Sequence, residues 1–161
     1  MDNKERQEKI ELYGNGYEMF AAALEEMPKE MWQFKPEPKE WSVHQIIVHL
    51  ADSETNSAMR ARLLIAQPGL TLMGYDQDVW ADNLDYHGQS TDDALALLKY
   101  SRSTTYDLIK DLPDEVWEHT VKHPEYEGDY TFEQWLKIYS NHIAVHIQQM
   151  RDNLKAWKAS T

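Results

Sequence analysis

The chain has 161 residues, no cysteine and a formal net charge of −12 at pH 7, which excludes disulfides, thiolate metal ligands and cysteine nucleophiles. This acidic charge repels phosphate backbones and anionic lipids, so we expect no nucleic acid and no membrane as a partner. A hydrophobic fraction of 42% provides enough apolar surface for one domain over residues 1–161. No apolar run suits a membrane span or a signal peptide, which predicts a cytoplasmic protein.

A first helix is predicted over residues 3–27, where apolar residues recur at helical spacing. The run Gly14-Asn15-Gly16 lies inside it, and each glycine costs about 1 kcal/mol relative to alanine in a helix interior. The segment therefore either bends there or keeps glycine for a close helix contact, and we expect the helix to continue with a kink. Residues 28–41 contain three prolines, which predict an extended connector.

A second helix is predicted from Ser42 to Ala66, with Ser42 as the N-cap and aliphatic side chains along an inward face. His49 lies on that face. Glu54 interrupts the apolar stripe, and because an unpaired buried charge is unfavourable, this carboxylate needs a partner. We interpret Glu54 as a candidate base or as the partner of a metal-bound histidine, and Asp52 as a second candidate proton acceptor.

A polar stripe follows His49 along the second helix, because Ser53, Asn56 and Arg60 come four, seven and eleven residues later. The stripe fits a substrate groove in which Arg60 holds an anionic group. It fits equally well a solvent-facing surface or a polar dimer seam. The spacing alone leaves these interpretations open.

The connection from Gln67 to Ser90 has no sustained helical period, and connections of this length are uncommon in compact domains unless they have a function. Its aromatic residues suit a pocket wall or lid, or a crossover loop that plugs one end of a bundle. Since it leaves the helix where the polar stripe ends, we expect both to line a substrate pocket. The expected pocket residues are Ser53, Asn56, Arg60, Tyr75 and Trp80.

A third helix is predicted to begin at Ser90 or Thr91 and to end before Pro113. Residues 114–130 then form a second irregular connection. His119 and His123 lie four apart in it, but Pro124 disfavours a helix at the preceding residue, so we expect both to be exposed loop residues.

The fourth predicted helix runs from Thr131 to Trp157 and carries His142 and His146 one turn apart on its apolar face. Together with His49 they form a set of imidazoles from two packed helices, which is typical of a divalent-metal site with open positions. We expect one ion per chain. The alternative is that these are hydrogen-bonded core histidines.

Two segments resemble motifs of the DinB-like superfamily. KPEPKEWSVHQIIVHLADSE resembles its second-helix entry, and NHIAVHIQQM resembles its fourth-helix motif. ADSETNSAMRARL with Tyr75, Asp76 and Trp80 is similar to the YfiT-like branch of metal-dependent hydrolases and bacillithiol S-transferases. The resemblance implies an all-α four-helix bundle with a long crossover connection, often a homodimer. It also implies nickel or zinc bound at positions that match the three histidines.

Three neutral histidines leave the charge of an ion undiminished, so a bound water or thiol becomes more acidic. We therefore expect a metal-dependent enzyme that activates water for hydrolysis, or a low-molecular-weight thiol for transfer, with a small-molecule substrate. The alternative is a non-catalytic bundle that binds a metal or a ligand. A fourth protein ligand would favour a structural site, whereas open positions facing a cavity would favour catalysis.

Overall fold

The computed structural model describes residues 1–124 and 126–160. Over these residues the chain forms an all-α bundle with one small β-hairpin. The helices are α1 (Asn3–Gly14), α2 (Gly16–Glu25), α3 (Val43–Ala66), α4 (Gln77–Asn83), α5 (Thr91–Ile109) and α6 (Phe132–Ser160). The hairpin strands are β1 (Thr120–Lys122) and β2 (Asp129–Thr131). Short 3₁₀ turns occupy Lys29–Met31, Tyr86–Gly88 and Asp114–Glu118.

Four long helical units make up the bundle, as predicted: α1 with α2, then α3, α5 and α6. Helix α3 packs along α5, and α6 contacts α1, α2 and α3.

The predicted N-caps are present at the starts of α3 and α5. Ser42 and Gln45 form a reciprocal capping box at the start of α3, and Ser90 caps α5 by accepting from the Asp93 N–H. In the described part of the chain, no helix is long and apolar enough to cross a bilayer.

The interior of the bundle consists of two apolar clusters with a buried polar layer between them. One cluster includes Leu50 of α3 and Leu98 of α5, and the other includes Leu64 and Ile109 of the same helices. Between the two clusters, buried polar residues lie along α3 and α5 and at one position of α6. We call these residues the polar layer: Ser53, Glu54, Ser57, Arg102, Thr105 and Ser140. The layer places charged and hydroxyl groups at mid-height in an otherwise apolar core.

The predicted kink in the first helix is a break between α1 and α2 at Asn15. The flanking glycines allow side chains of α5 to approach closely. A Cβ at Gly16 would lie 2.5 Å from Arg102 Nη2, and one at Gly14 would lie 2.6 Å from the Tyr106 ring. The break therefore admits an arginine into the core.

The second connection contains the hairpin, which the sequence analysis did not predict. Strands β1 and β2 are antiparallel, with Thr120 opposite Thr131. The expectation that His119 and His123 are exposed was wrong. His123 is only 5% exposed because its ring packs on Tyr130, with centroids 5.2 Å apart, and His119 is half-buried with Nδ1 2.8 Å from the Leu64 carbonyl oxygen.

Candidate metal centre

The three predicted ligands lie together between α3 and α6. One ring nitrogen from each of His49, His142 and His146 falls within 4.8 Å of the others. The Nε2 atoms of His142 and His146 are 3.1 Å apart, because residues four apart on a helix project from the same face. The His49 ring approaches from α3, with its centroid 4.9 Å from that of His146. The bundle thus converges three imidazoles on one point.

His49 is the ring that most needs a further partner. Its side chain is 1% exposed, and neither ring nitrogen has a hydrogen-bond partner within the described chain. An unpaired buried polar atom is unfavourable by about 1–3 kcal/mol. A divalent ion between the three rings would accept the lone pair of a His49 nitrogen, and would so give this nitrogen the partner that the described chain does not supply. The residues present therefore fit a metal.

Hydrogen bonds at the outer nitrogens orient the two rings on α6. His142 Nδ1 lies 3.3 Å from Glu54 Oε1, and His146 Nδ1 lies 2.9 Å from Gln149 Oε1. Because carboxylate and amide oxygens only accept, each Nδ1 carries the proton and donates it. Each Nε2 then keeps its lone pair directed at the cluster, which is the tautomer that binds a metal.

Glu54 is held by a buried network. Its Oε1 accepts from Arg102 Nη1 at 2.5 Å, and its Oε2 accepts from the Tyr13 hydroxyl at 3.4 Å. Arg102 also donates from Nε and Nη2 to the Tyr13 carbonyl oxygen. Burial alone would raise the pKa of Glu54, but the Arg102 charge and the His142 hydrogen bond outweigh it and hold that pKa below its ordinary value. Glu54 is therefore an ionised carboxylate that supports His142.

Burial also sets the protonation of the histidines. Desolvation, followed by the neighbouring imidazoles, lowers the pKa of His49 to about 2. Desolvation and His142 lower the pKa of His146 to about 4. At neutral pH both rings are uncharged, which is the form that coordinates metals.

A cavity of about 500 Å³ opens beside His142. Three of the five expected pocket residues line it, namely Ser53, Arg60 and Tyr75. The other two do not: the Asn56 side chain donates to the Asp52 carbonyl oxygen, and the Trp80 ring packs on Tyr75 with centroids 4.4 Å apart.

Several lining residues were not identified from the sequence. His123, Tyr126 and Tyr130 come from the unpredicted hairpin region, and Tyr139 and Ile138 come from α6. Tyr139 precedes His142 by three residues, so its helical position was a usable signal. Asp52, the second candidate proton acceptor, accepts from the Tyr86 hydroxyl at 2.7 Å and is not among the residues that line the cavity.

The fold and the histidine cluster correspond to a known family. The chain matches the model of the DinB superfamily over residues 13–150, and it belongs to that superfamily. The resemblance noted in the two sequence motifs is thereby confirmed.

Two bacterial proteins match a stretch of the chain at about 30% identity. The chain is 33% identical over 107 residues to an Oceanobacillus iheyensis protein named "Putative metal-dependent hydrolase", a match covering 66% of this chain and 61% of that protein. It is 29% identical over 113 residues to "Putative metal-dependent hydrolase YfiT" of Bacillus subtilis, covering 68% and 64% of the two chains. The matched stretch thus spans less than two thirds of either relative.

The solved structure of YfiT from Bacillus subtilis is described as a probable metal-dependent hydrolase with an unusual four-helix bundle topology. It superimposes on this chain with a TM-score of 0.89 at 23% identity, and the match covers 98% of this chain and 90% of that one. This likeness shows the shared bundle fold.

Proposed function

We propose that this protein is a metal-dependent hydrolase that acts on a small molecule and holds one divalent ion, zinc or nickel, through His49, His142 and His146. The observation that carries the proposal is the convergence of these imidazoles beside an open cavity. Within the described residues the cluster contains no fourth histidine or carboxylate ligand. Three protein ligands with an open side are typical of catalytic rather than structural zinc sites.

The chemistry divides between the ion and the protein. His49, His142 and His146 would hold the ion, which would supply the Lewis acidity that lowers the pKa of a water towards neutrality and polarises a carbonyl oxygen of the substrate. Glu54 and Gln149 keep the Nδ1 protons of His142 and His146, so that the ligating nitrogens stay aimed at one point. Because Glu54 is fully buried and paired with Arg102, we assign it to orienting His142 rather than to accepting a proton from the substrate. Ser53, Arg60 and Tyr75 contribute the binding surface.

A second activity, transfer of a low-molecular-weight thiol, is supported by the motif resemblance to the YfiT-like branch. A thiol would occupy the same open side of the cluster as a water does in the hydrolase. A homodimer and a cytoplasmic location stay predictions, as does the non-catalytic alternative of a bundle that only binds a metal or a ligand.

The test begins with metal analysis of protein purified without added metal, followed by reconstitution with zinc and nickel separately. Each form is assayed against a panel of esters and amides, and against an electrophile with and without a low-molecular-weight thiol. We expect metal and turnover to be lost together in His146→Ala. His44→Gln is the matched control, because His44 is also a helical histidine but lies outside the cluster. Stoichiometric metal without any turnover would reject the enzyme and favour the non-catalytic alternative.

A further inference from the structure

Arg60 presents a positive charge to the cavity without a carboxylate partner. Its side chain is half-buried, with Nη1 donating to the Tyr139 hydroxyl at 3.0 Å and Nη2 to the Met73 carbonyl oxygen at 3.4 Å. Among the described ion pairs, none involves Arg60, although the chain has 28 acidic and 16 basic residues. A guanidinium has five N–H donors, so two neutral acceptors leave donors available.

The other groups around Arg60 do not neutralise it. Tyr75, Tyr130 and Tyr139 also line the cavity as phenols, which are uncharged at neutral pH, and burial raises the pKa of Tyr75 and Tyr130 further although Arg60 opposes the rise. These tyrosines are therefore uncharged hydroxyl donors. Asp76 is the lining carboxylate, and its Oδ1 is occupied by the backbone N–H groups of Asp78 and Val79 at the start of α4.

One side chain, Tyr139, links Arg60 in the cavity to the candidate metal centre. Tyr139 contacts Arg60 through its hydroxyl group, and its ring lies edge-on to the His142 ring with centroids 5.8 Å apart. His142 also lines the cavity, so a molecule that reaches Arg60 can extend along Tyr139 to the His142 ring. Both residues line one cavity of about 500 Å³, which suits a small molecule rather than a large polymer.

We propose that Arg60 binds a carboxylate of the substrate, so that the natural substrates are small singly charged acids whose hydrolysable bond lies away from the carboxylate. The proposal rests on the proposed function and names the class of substrate for that site. One guanidinium compensates one negative charge, and Asp76 disfavours a second negative charge nearby. A dianionic phosphate would remain partly uncompensated, whereas a carboxylate matches the site. The aromatic wall accommodates the apolar part of the molecule.

The test compares neutral and carboxylated esters with the metal-loaded protein. The probes are p-nitrophenyl acetate and the mono-p-nitrophenyl esters of succinic, glutaric and adipic acid, which vary the distance between the carboxylate and the ester. We expect a higher kcat/KM for at least one carboxylated ester than for the acetate. Arg60→Met should reduce that preference, measured as the ratio of kcat/KM for the carboxylated ester to kcat/KM for the acetate, about 10- to 100-fold, because it removes a charged hydrogen-bond partner. Arg60→Lys should keep part of the preference, since it keeps the charge.

Arg62→Met is the matched control. Arg62 is a neighbouring arginine of α3 that donates to the Ala58 carbonyl oxygen and to hydroxyl groups of Thr104 and Thr105, and it is not among the residues that line the cavity. It carries the same charge change without the same contacts. The ratio of carboxylated to neutral ester hydrolysis should be unchanged in this variant.

A binding measurement separates this proposal from the hydrolase proposal. Calorimetric titration of the metal-loaded wild type should show binding of glutaramate, the singly charged monoamide of glutaric acid, but not of the neutral diamide, and binding should weaken in Arg60→Met and persist in Arg62→Met. Glutaramate binding that depends on Arg60, without hydrolysis of any ester, would reject the hydrolase and keep the carboxylate site. Hydrolysis of the acetate with no carboxylate preference at any chain length, or a preference that survives Arg60→Met, would overturn the carboxylate site. Tighter Arg60-dependent binding of inorganic phosphate than of glutaramate would overturn the assignment to a singly charged acid.

Discussion

Arg102 and His142 share one oxygen of Glu54, although they come from two different helices, α5 and α6. Oε1 of Glu54 accepts from Arg102 Nη1 at 2.5 Å and from His142 Nδ1 at 3.3 Å. A buried ion pair that supports stability and a hydrogen bond that orients a candidate ligand therefore depend on the same atom. Changes at any of the three residues should affect both folding and metal binding.

Glu54→Leu should destabilise the protein by about 3–5 kcal/mol, because Arg102 would be left buried without a counter-charge. It should also weaken metal binding about 10- to 100-fold, because His142 loses the group that fixes its tautomer. Urea unfolding and competition with a chelator measure the two effects. The double variant Glu54→Leu/Arg102→Leu should regain much of the stability but none of the metal affinity. If the metal affinity is unchanged in both variants, Glu54 has no role in orienting His142.

Gly16→Ala should destabilise the fold by about 1–3 kcal/mol, although alanine normally favours a helix, because its Cβ would meet the buried Arg102 guanidinium at 2.5 Å. Gly88→Ala is the control: its Cβ would meet only the flexible, exposed Asp85 side chain, so the effect should be small. Thermal and urea unfolding compare the two variants. If Gly16→Ala is as stable as the wild type, Arg102 does not require a glycine at position 16.

The metal-free protein should lose stability as the pH falls from 6.5 towards 5. The pKa of His146 is lowered to about 4 in the folded state. Below pH 6.5 this histidine is therefore protonated in the unfolded chain but still neutral in the folded chain, so acid favours unfolding. The same holds for His49, whose pKa is lowered to about 2. Each histidine should contribute a loss of about 1–2 kcal/mol over this interval, with little further loss from His146 below its folded pKa. The lowered pKa of Glu54 acts only at lower pH, below the ordinary range of glutamate.

Urea unfolding of the metal-free protein at several pH values measures this slope. His49→Leu removes one of the two groups, so its slope between pH 6.5 and 5 should be shallower than that of the wild type. A stability that is flat or rises towards acid would contradict the buried, uncharged state of these rings.

Metal removal should lower the melting temperature, because an ion held by His49, His142 and His146 would tie α3 to α6 and would bind the folded chain more tightly than the unfolded one. With free metal at a hundred times its Kd, the stabilisation is about 2.7 kcal/mol. Differential scanning calorimetry with and without a chelator measures it. His146→Ala should show no response to added metal, whereas His44→Gln should respond like the wild type. An identical melting curve after complete metal loss would mean that the ion contributes nothing to the fold.

Features within a single helix could be predicted from the sequence, whereas contacts between residues far apart in the chain could not. The caps at Ser42 and Ser90 and a bend near Asn15 depend on neighbours in sequence, so they could be predicted, although the bend proved to be a break between two helices. Arg102 was not identified as part of the site, because its partners Glu54 and Tyr13 are far away in the chain and nothing in α5 announces them. Helical periodicity placed His49, His142 and His146 on inward faces, but only the packing of α3 on α6 shows that those faces meet.

The hairpin illustrates a different limit. Strands of three residues are too short for a clear alternation of polar and apolar side chains. They are stabilised by a distant segment instead, since Leu72 and Lys122 are joined by a backbone hydrogen bond of 2.8 Å. The burial of His123 follows from this long-range arrangement. Its neighbour Pro124 indicates only local backbone preference and therefore could not predict it.

The polar layer also restricts how the helices can slide past one another. If α5 moved along α3 by one turn, about 5.4 Å, Arg102 would leave Glu54 and lie against one of the apolar clusters. Apolar contacts alone would disfavour such a shift less, because the hydrophobic effect is non-directional. The ion pair makes the shifted arrangements unfavourable, since each would leave a charge buried without its partner. The charges at mid-height thus select one alignment of α5 with α3, and the hydrogen bond from His142 to Glu54 joins α6 to the same layer.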